Sequence, residues 1–139
     1  MVFGSAVVTR TAQPENAVTR TIRLEASRRL VIAAIALKRF QLSHGAWPGK
    51  LGDLVPAYLP SVPVDPYDGA PLKYHPNEDG TCALYSVGED GKDDGGDPTN
   101  DPASASGYIY WFGPHVRDWV WPQPASAAEV KFFYENSPK

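Results

Sequence analysis

Six prolines fall between residues 48 and 71: Pro48, Pro56, Pro60, Pro63, Pro66 and Pro71. Each fixes φ and removes a backbone donor, so neither a long helix nor a central strand can run through that stretch. A long helix must lie before it, and a sheet must be built mostly after it. The 139 residues amount to one domain, and 42% hydrophobic residues are enough for a modest core. Fourteen Pro and twelve Gly predict many turns and disfavour a coiled coil or a helical bundle. The expectation is one small α+β domain, with a long N-terminal α-helix packed on a small antiparallel β-sheet.

From about residue 16 to 44 the apolar pattern is helical. Ile22, Ala26, Leu30, Ala33, Leu37 and Phe40 share one arc at 100° per residue. Gly45 is a stop signal, with Pro48 shortly beyond. A second apolar group, Leu24, Val31, Ile35 and Leu42, lies nearly opposite the first. One face can cover the domain's own sheet, and the other then needs a protein partner or a preceding domain.

Residues 1–15 form an irregular N-terminal segment, and residues 16–124 form the domain. Within it, residues 46–71 hold a loop and a short helix of two turns over Leu51, Leu54 and Val55, then Tyr58 and Leu59. The run Asp65-Pro66-Tyr67-Asp68-Gly69 reads as a turn. Strands are expected at 72–75, 81–86, 107–112 and 119–121, the first two joined through Pro76-Asn77-Glu78-Asp79-Gly80. Residues 125–139 are a C-terminal extension in which Val130, Phe132, Phe133 and Tyr134 suit a last strand or helix.

The net charge of −3 conceals an asymmetry. Residues 1–50 carry eight Lys/Arg against two Asp/Glu, whereas residues 51–139 carry five against fourteen. The cations are spread along the helix rather than gathered to track phosphates, which argues against nucleic acid. The longest apolar run, from Leu30 to Leu37, is far short of the roughly 20 residues that span a bilayer. No basic-then-apolar leader precedes it. Cys82 is the only cysteine, so the chain forms no internal disulfide and no thiolate metal site; in a strand it is a small hydrophobe.

The stretch richest in chemistry is the Gly-rich loop 88–102. Asp90, Asp93, Asp94, Asp97 and Asp101 bring five carboxylates close together in the chain. Folded tightly they repel unless a cation compensates, and calcium accepts many oxygen ligands in flexible geometry. The spacing is not that of an EF-hand. The alternative is an open, solvated acidic loop. Elsewhere, Gly45-Ala46-Trp47-Pro48-Gly49-Lys50 falls short of a phosphate loop, since Leu51 stands where Ser or Thr is required. His44, His75 and His115 are isolated, and no pair of groups has the spacing of an acid–base or nucleophilic site, so no enzyme is expected. The aromatics Tyr108, Tyr110, Trp111, Phe112, Trp119 and Trp121 serve either as core or as a platform on which sugars stack.

The ordered series Phe40-Gln41-Leu42-Ser43-His44-Gly45-Ala46-Trp47-Pro48, Leu51-Gly52-Asp53-Leu54-Val55-Pro56, Val62-Pro63-Val64-Asp65-Pro66-Tyr67-Asp68-Gly69 and Tyr85-Ser86-Val87-Gly88-Glu89-Asp90-Gly91 resembles a known family. It is similar to the periplasmic domain of the major pseudopilin of bacterial type II secretion, and to pseudopilin-like modules of larger bacterial envelope proteins. The resemblance covers roughly residues 30–100. It implies a long helix on a small antiparallel sheet, a calcium-binding loop, an extracytoplasmic location and a non-enzymatic structural or assembly role. Position by position, it implies Asp90 as the first carboxylate ligand, Val87 as an upstream carbonyl ligand and Asp97 as a later carboxylate, with Asp93, Asp94 and Asp101 as substitutes if the register slips. Where a pseudopilin carries an apolar anchoring segment, this chain holds Arg20, Arg23, Arg28 and Arg29, which argues against filament assembly by this chain alone.

Overall fold

A computed structural model describes residues 17–97, 99, 117–121, 131, 134 and 135. Helix α1 spans Ala17–His44 and strands β1, β2 and β3 span Lys73–Pro76, Cys82–Ser86 and Trp119–Val120. The three strands form one antiparallel sheet in the order β1-β2-β3. The expected strand at 107–112 and most of the C-terminal extension lie outside the described residues, as does His115. Among the described residues, no helix is long and apolar enough to cross a membrane.

α1 ends as its sequence predicts. Gly45 adopts φ 76° and donates its N–H to the Gln41 carbonyl at 2.8 Å, which closes the last turn from the left-handed region that glycine tolerates. Ala26, Leu30, Ala33, Ala36 and Leu37 are buried against Leu54, Leu59, Leu72, Leu84 and Trp119. Ile22 and Phe40 are only partly covered, and Ala36 joins the core in addition to the predicted arc. The alanines let the sheet come close to the helix axis, while the leucines fill the space on either side.

The two-turn helix expected after Pro48 is shorter in the structure. Leu51–Leu54 forms a single 3-10 turn, and Val55 is extended at φ −96°, ψ 135°. The physical reason is Pro56, whose ring pushes the preceding residue out of helical conformation. Leu51 and Leu54 still reach the core from this turn. The Trp47 indole donates to the Gly80 carbonyl at 2.9 Å and the Tyr74 hydroxyl to the Pro48 carbonyl at 2.8 Å, which fastens the loop after α1 to the β1–β2 hairpin. In that hairpin Asp79 accepts from the Thr81 amide and hydroxyl, at the turn the sequence predicts.

Candidate functional site: the acidic loop

β2 is buried along its whole length and delivers the chain into the acidic loop. At its end, Asp65 reaches across from the turn that the prolines build. Its carboxylate is fully buried and accepts from the Tyr67 amide at 3.0 Å, the Ser86 hydroxyl at 3.0 Å and the Val87 amide at 2.9 Å. The first bond is the expected turn chemistry. The other two tie the turn to the entrance of the loop. Gly88 follows with φ 70°, and a Cβ there would lie 2.6 Å from the Arg117 carbonyl oxygen. The loop and the entry to β3 therefore touch backbone to backbone.

The far side of the loop is organised by Asp118, one residue before β3. This side chain is also fully buried. Its carboxylate accepts from the amides of Gly96 at 2.7 Å and Asp97 at 3.2 Å, with the Asp94 amide farther off at 3.5 Å. Its own amide donates to the Asp97 carbonyl at 3.1 Å. Burial pushes the Asp118 carboxyl above the ordinary range, the three amides work against that shift, and the charge of Asp93 adds to it.

The sequence-predicted ligand residues are placed as follows. Val87 is buried. Asp90 is exposed at the tip, where Oδ1 accepts from the Lys92 amide at 3.1 Å. Asp93 accepts from the Tyr85 hydroxyl at 3.0 Å and the Gly95 amide at 3.0 Å. Desolvation first, and then the bond to Asp93, push the Tyr85 phenol up to about 12. Asp94 is exposed. Asp97 accepts from the Thr99 amide at 2.9 Å and pairs with Arg117 at 3.1 Å. The Thr99 amide and hydroxyl, and then the Arg117 charge, hold its carboxyl below the usual range. Asp101 lies outside the described residues. On the helix side, Arg23 pairs with Glu89.

This donor set is chemically suited to calcium, because it offers only hard oxygen ligands on a chain that glycines allow to curl. Among the described residues, however, no three His, Cys, Asp or Glu side chains converge as a metal-holding group. The loop is held instead by Asp65 at its entrance, Asp118 at its exit and the Tyr85 ring beneath it, where a Cβ on Gly96 would sit 3.2 Å from the ring carbons. The sequence shows Asp65 only as a turn residue and gives Asp118 no role. The signal that could have found Asp118 is a lone carboxylate directly before a Trp-Val-Trp run, since an acid in apolar surroundings requires donors.

Other candidates resolve into structural roles. The His44 ring lies 3.0 Å from the Phe40 carbonyl and stacks on the Phe40 ring. Cys82 is buried, and desolvation pushes its thiol up to about 11. Trp119 is fully buried and offers no face to a sugar, whereas residues 108–112 lie outside the described residues. Comparison with family models, with curated proteins and with solved structures gives no match for the chain.

Proposed function

We propose that the chain is a non-enzymatic structural module that assembles with a protein partner or a neighbouring domain, its acidic loop stabilised by calcium. The observation that carries this reading is the division of α1 into two apolar faces. One is sealed into the core, while Leu24 and Leu42 on the other are 69% and 73% exposed, with Val31 and Ile35 between them also exposed. A line of exposed aliphatic side chains on one face of a helix marks an interaction surface. The long helix on a small antiparallel sheet is also the arrangement implied by the resemblance to pseudopilin-like modules, and an extracytoplasmic bacterial location rests on that resemblance. For calcium, the supporting feature is a loop of oxygen donors whose backbone is already held in shape from both ends, with Val87, Asp90 and Asp97 as proposed ligands and Asp93, Asp94 and Asp101 as further donors.

The experiment is thiol accessibility at position 35. The Ile35→Cys variant reacts rapidly with a maleimide in the purified chain, where the native Cys82 is buried and slow. In intact cells producing the protein, position 35 is expected to be protected. Equal labelling in both settings overturns the assembly reading.

A further inference from the structure

The exposed side of α1 is a narrow seam with a charge pattern. At 100° per residue, Leu24, Val31, Ile35 and Leu42 fall within about 20° of a single line. Their spacing of seven, four and seven keeps a heptad register in which Arg28 and Lys38 take the two intervening positions, and two of the four are β-branched. Arg20 and Lys38 border the seam on one side and Arg28 and Arg39 on the other, about 40–60° from its centre. All four are exposed. The Lys38 ammonium lies 5.8 Å from the centre of the Trp47 ring, the Arg39 guanidinium 5.7 Å from that of Tyr58, and Arg28 pairs with Glu25. The charges of Lys38 and Arg39 therefore lie over aromatic rings from the segment after α1, and that of Arg28 is engaged within its own helix.

Beside the seam lies a cavity of about 470 Å³ between Val31 and Ile35 of α1 and Cys82 and Leu84 of β2, walled by Trp47 and Trp121. It offers room for one bulky apolar anchor of whatever lies on the seam. Three occupants are physically distinct. A second copy of α1 brings six Lys/Arg against one Glu onto the same charge pattern, and cation meets cation whether the helices run parallel or antiparallel. An anionic bilayer selects a broad apolar face, whereas the aliphatic line on α1 is one residue wide, with Trp47 and Trp121 at the cavity beside it.

We infer that the seam receives an amphipathic helix of a protein partner, apolar at every third and fourth residue and bordered by Asp and Glu. This rests on the assembly reading above and adds the chemistry of the partner. The acidic borders meet the charges of Arg20, Lys38 and Arg39, while Arg28 keeps its pair with Glu25, and the apolar line covers Leu24, Val31, Ile35 and Leu42.

The test titrates the full chain with two synthetic helical peptides of the length of α1, 28 residues. Both carry Leu and Ile at the seam positions; one is bordered by Glu and the other by Lys. The Glu peptide is expected to bind at least roughly tenfold more tightly than the Lys peptide, and to weaken by a similar factor between about 0.05 and 0.5 M salt. Ile35→Glu is expected to reduce its binding by roughly tenfold or more. The same variant leaves the thermal melt unchanged, because Ile35 is exposed. Equal binding of both peptides, or indifference to Ile35→Glu, overturns the proposal. So does binding of phosphatidylglycerol vesicles without binding of the Glu peptide, or self-association of the chain that Ile35→Glu abolishes. If the Glu peptide fails while position 35 remains protected in cells, the partner chemistry falls and the assembly reading stands. If position 35 is also freely labelled in cells, both fall.

Discussion

The Val87 amide donates to Oδ2 of Asp65 at 2.9 Å across 22 residues of chain, and so joins the proline-built turn to the mouth of the acidic loop. The same carboxylate holds the Ser86 hydroxyl, so the last residue of β2 and the first of the loop share one buried acceptor. Asp65→Ala leaves three donors behind, two of them buried beside the core. The expected loss is about 3 kcal/mol, read as a lower urea midpoint at constant slope. Asp65→Asn is expected to lose less, because its single carbonyl oxygen still satisfies part of the set. A variant as stable as the parent would show that the bonds to Ser86 and Val87 carry no net stability.

Gly88 and Gly91 separate backbone strain from steric contact. Both have positive φ, but a Cβ on Gly91 meets nothing within 4 Å, whereas one on Gly88 is driven against the Arg117 carbonyl. Gly91→Ala is expected to cost about 1 kcal/mol from the left-handed conformation alone. Gly88→Ala adds displacement of the entry to β3 and is expected to cost at least about 3 kcal/mol in total. Equilibrium denaturation of the two variants side by side measures the difference. Equal losses would mean that the loop can move away from Arg117 freely.

These anchors also mark where the sequence stopped being informative. α1 was legible because Ala26, Leu30, Ala33 and Leu37 repeat with the helical period and Gly45 closes them, all within one local window. The second apolar face was legible for the same reason, and Leu24, Val31, Ile35 and Leu42 are indeed exposed. The β1–β2 hairpin announced itself through Asn77, Asp79 and Gly80, whose turn chemistry is local. Asp118 was different. The Trp-Val-Trp run beside it signals that the carboxylate needs donors, but the donors Gly96 and Asp97 are more than twenty residues earlier and are brought to it only by the approach of β3 to β2. Asp65 was half legible, for the turn bond to Tyr67 but not for the long-range bonds. The 3-10 turn at Leu51–Leu54 is shorter than its apolar spacing implies because Pro56 keeps Val55 extended.

The acid side of the stability profile should carry the mark of Glu25. Hydrogen bonds from Arg28 and Arg29 hold its carboxyl down, lowered from 4.5 to about 2. A carboxyl lowered in the folded state is a source of stability that is complete above its unfolded value and disappears as pH falls toward the folded one. The window is therefore pH 4.5 down to about 2. Asp68, Asp79 and Asp97 are lowered as well and act in the same direction. Asp118 is raised, so the folded state holds its proton longer than the unfolded one, and its contribution, complete below 3.8, weakens as pH rises from there through its folded value. Glu25→Gln is expected to flatten the acid limb of a melting-temperature profile, and Asp118→Asn to steepen it. The slight exposed pairing of Glu25 makes the first effect salt-sensitive. Identical acid limbs for parent and Glu25→Gln would remove the Arg28–Glu25–Arg29 cluster from the explanation.

The calcium reading is tested by thermal melts in chelator, in calcium and in magnesium. Extracellular calcium sites bind at about 10⁻⁴–10⁻³ M, so a few millimolar suffices. A cation that binds only the folded state stabilises by mass action, by about 1–2 kcal/mol at roughly tenfold excess over the dissociation constant. For a domain of this size the rise is several degrees. Magnesium is expected to do less, because it demands stricter geometry and keeps its waters. Asp90→Ala is the decisive variant. Asp90 is exposed and, among the described residues, bonds only to the nearby Lys92 amide, so its loss in chelator should be small, while the rise with calcium should shrink or vanish. Asp97→Ala makes a weaker test, because it also breaks the bonds to Thr99 and Arg117 and lowers the melt in every buffer. Coincident curves for the parent protein in all three conditions would leave Asp65 and Asp118 as the means by which the loop is held and would remove calcium from the account.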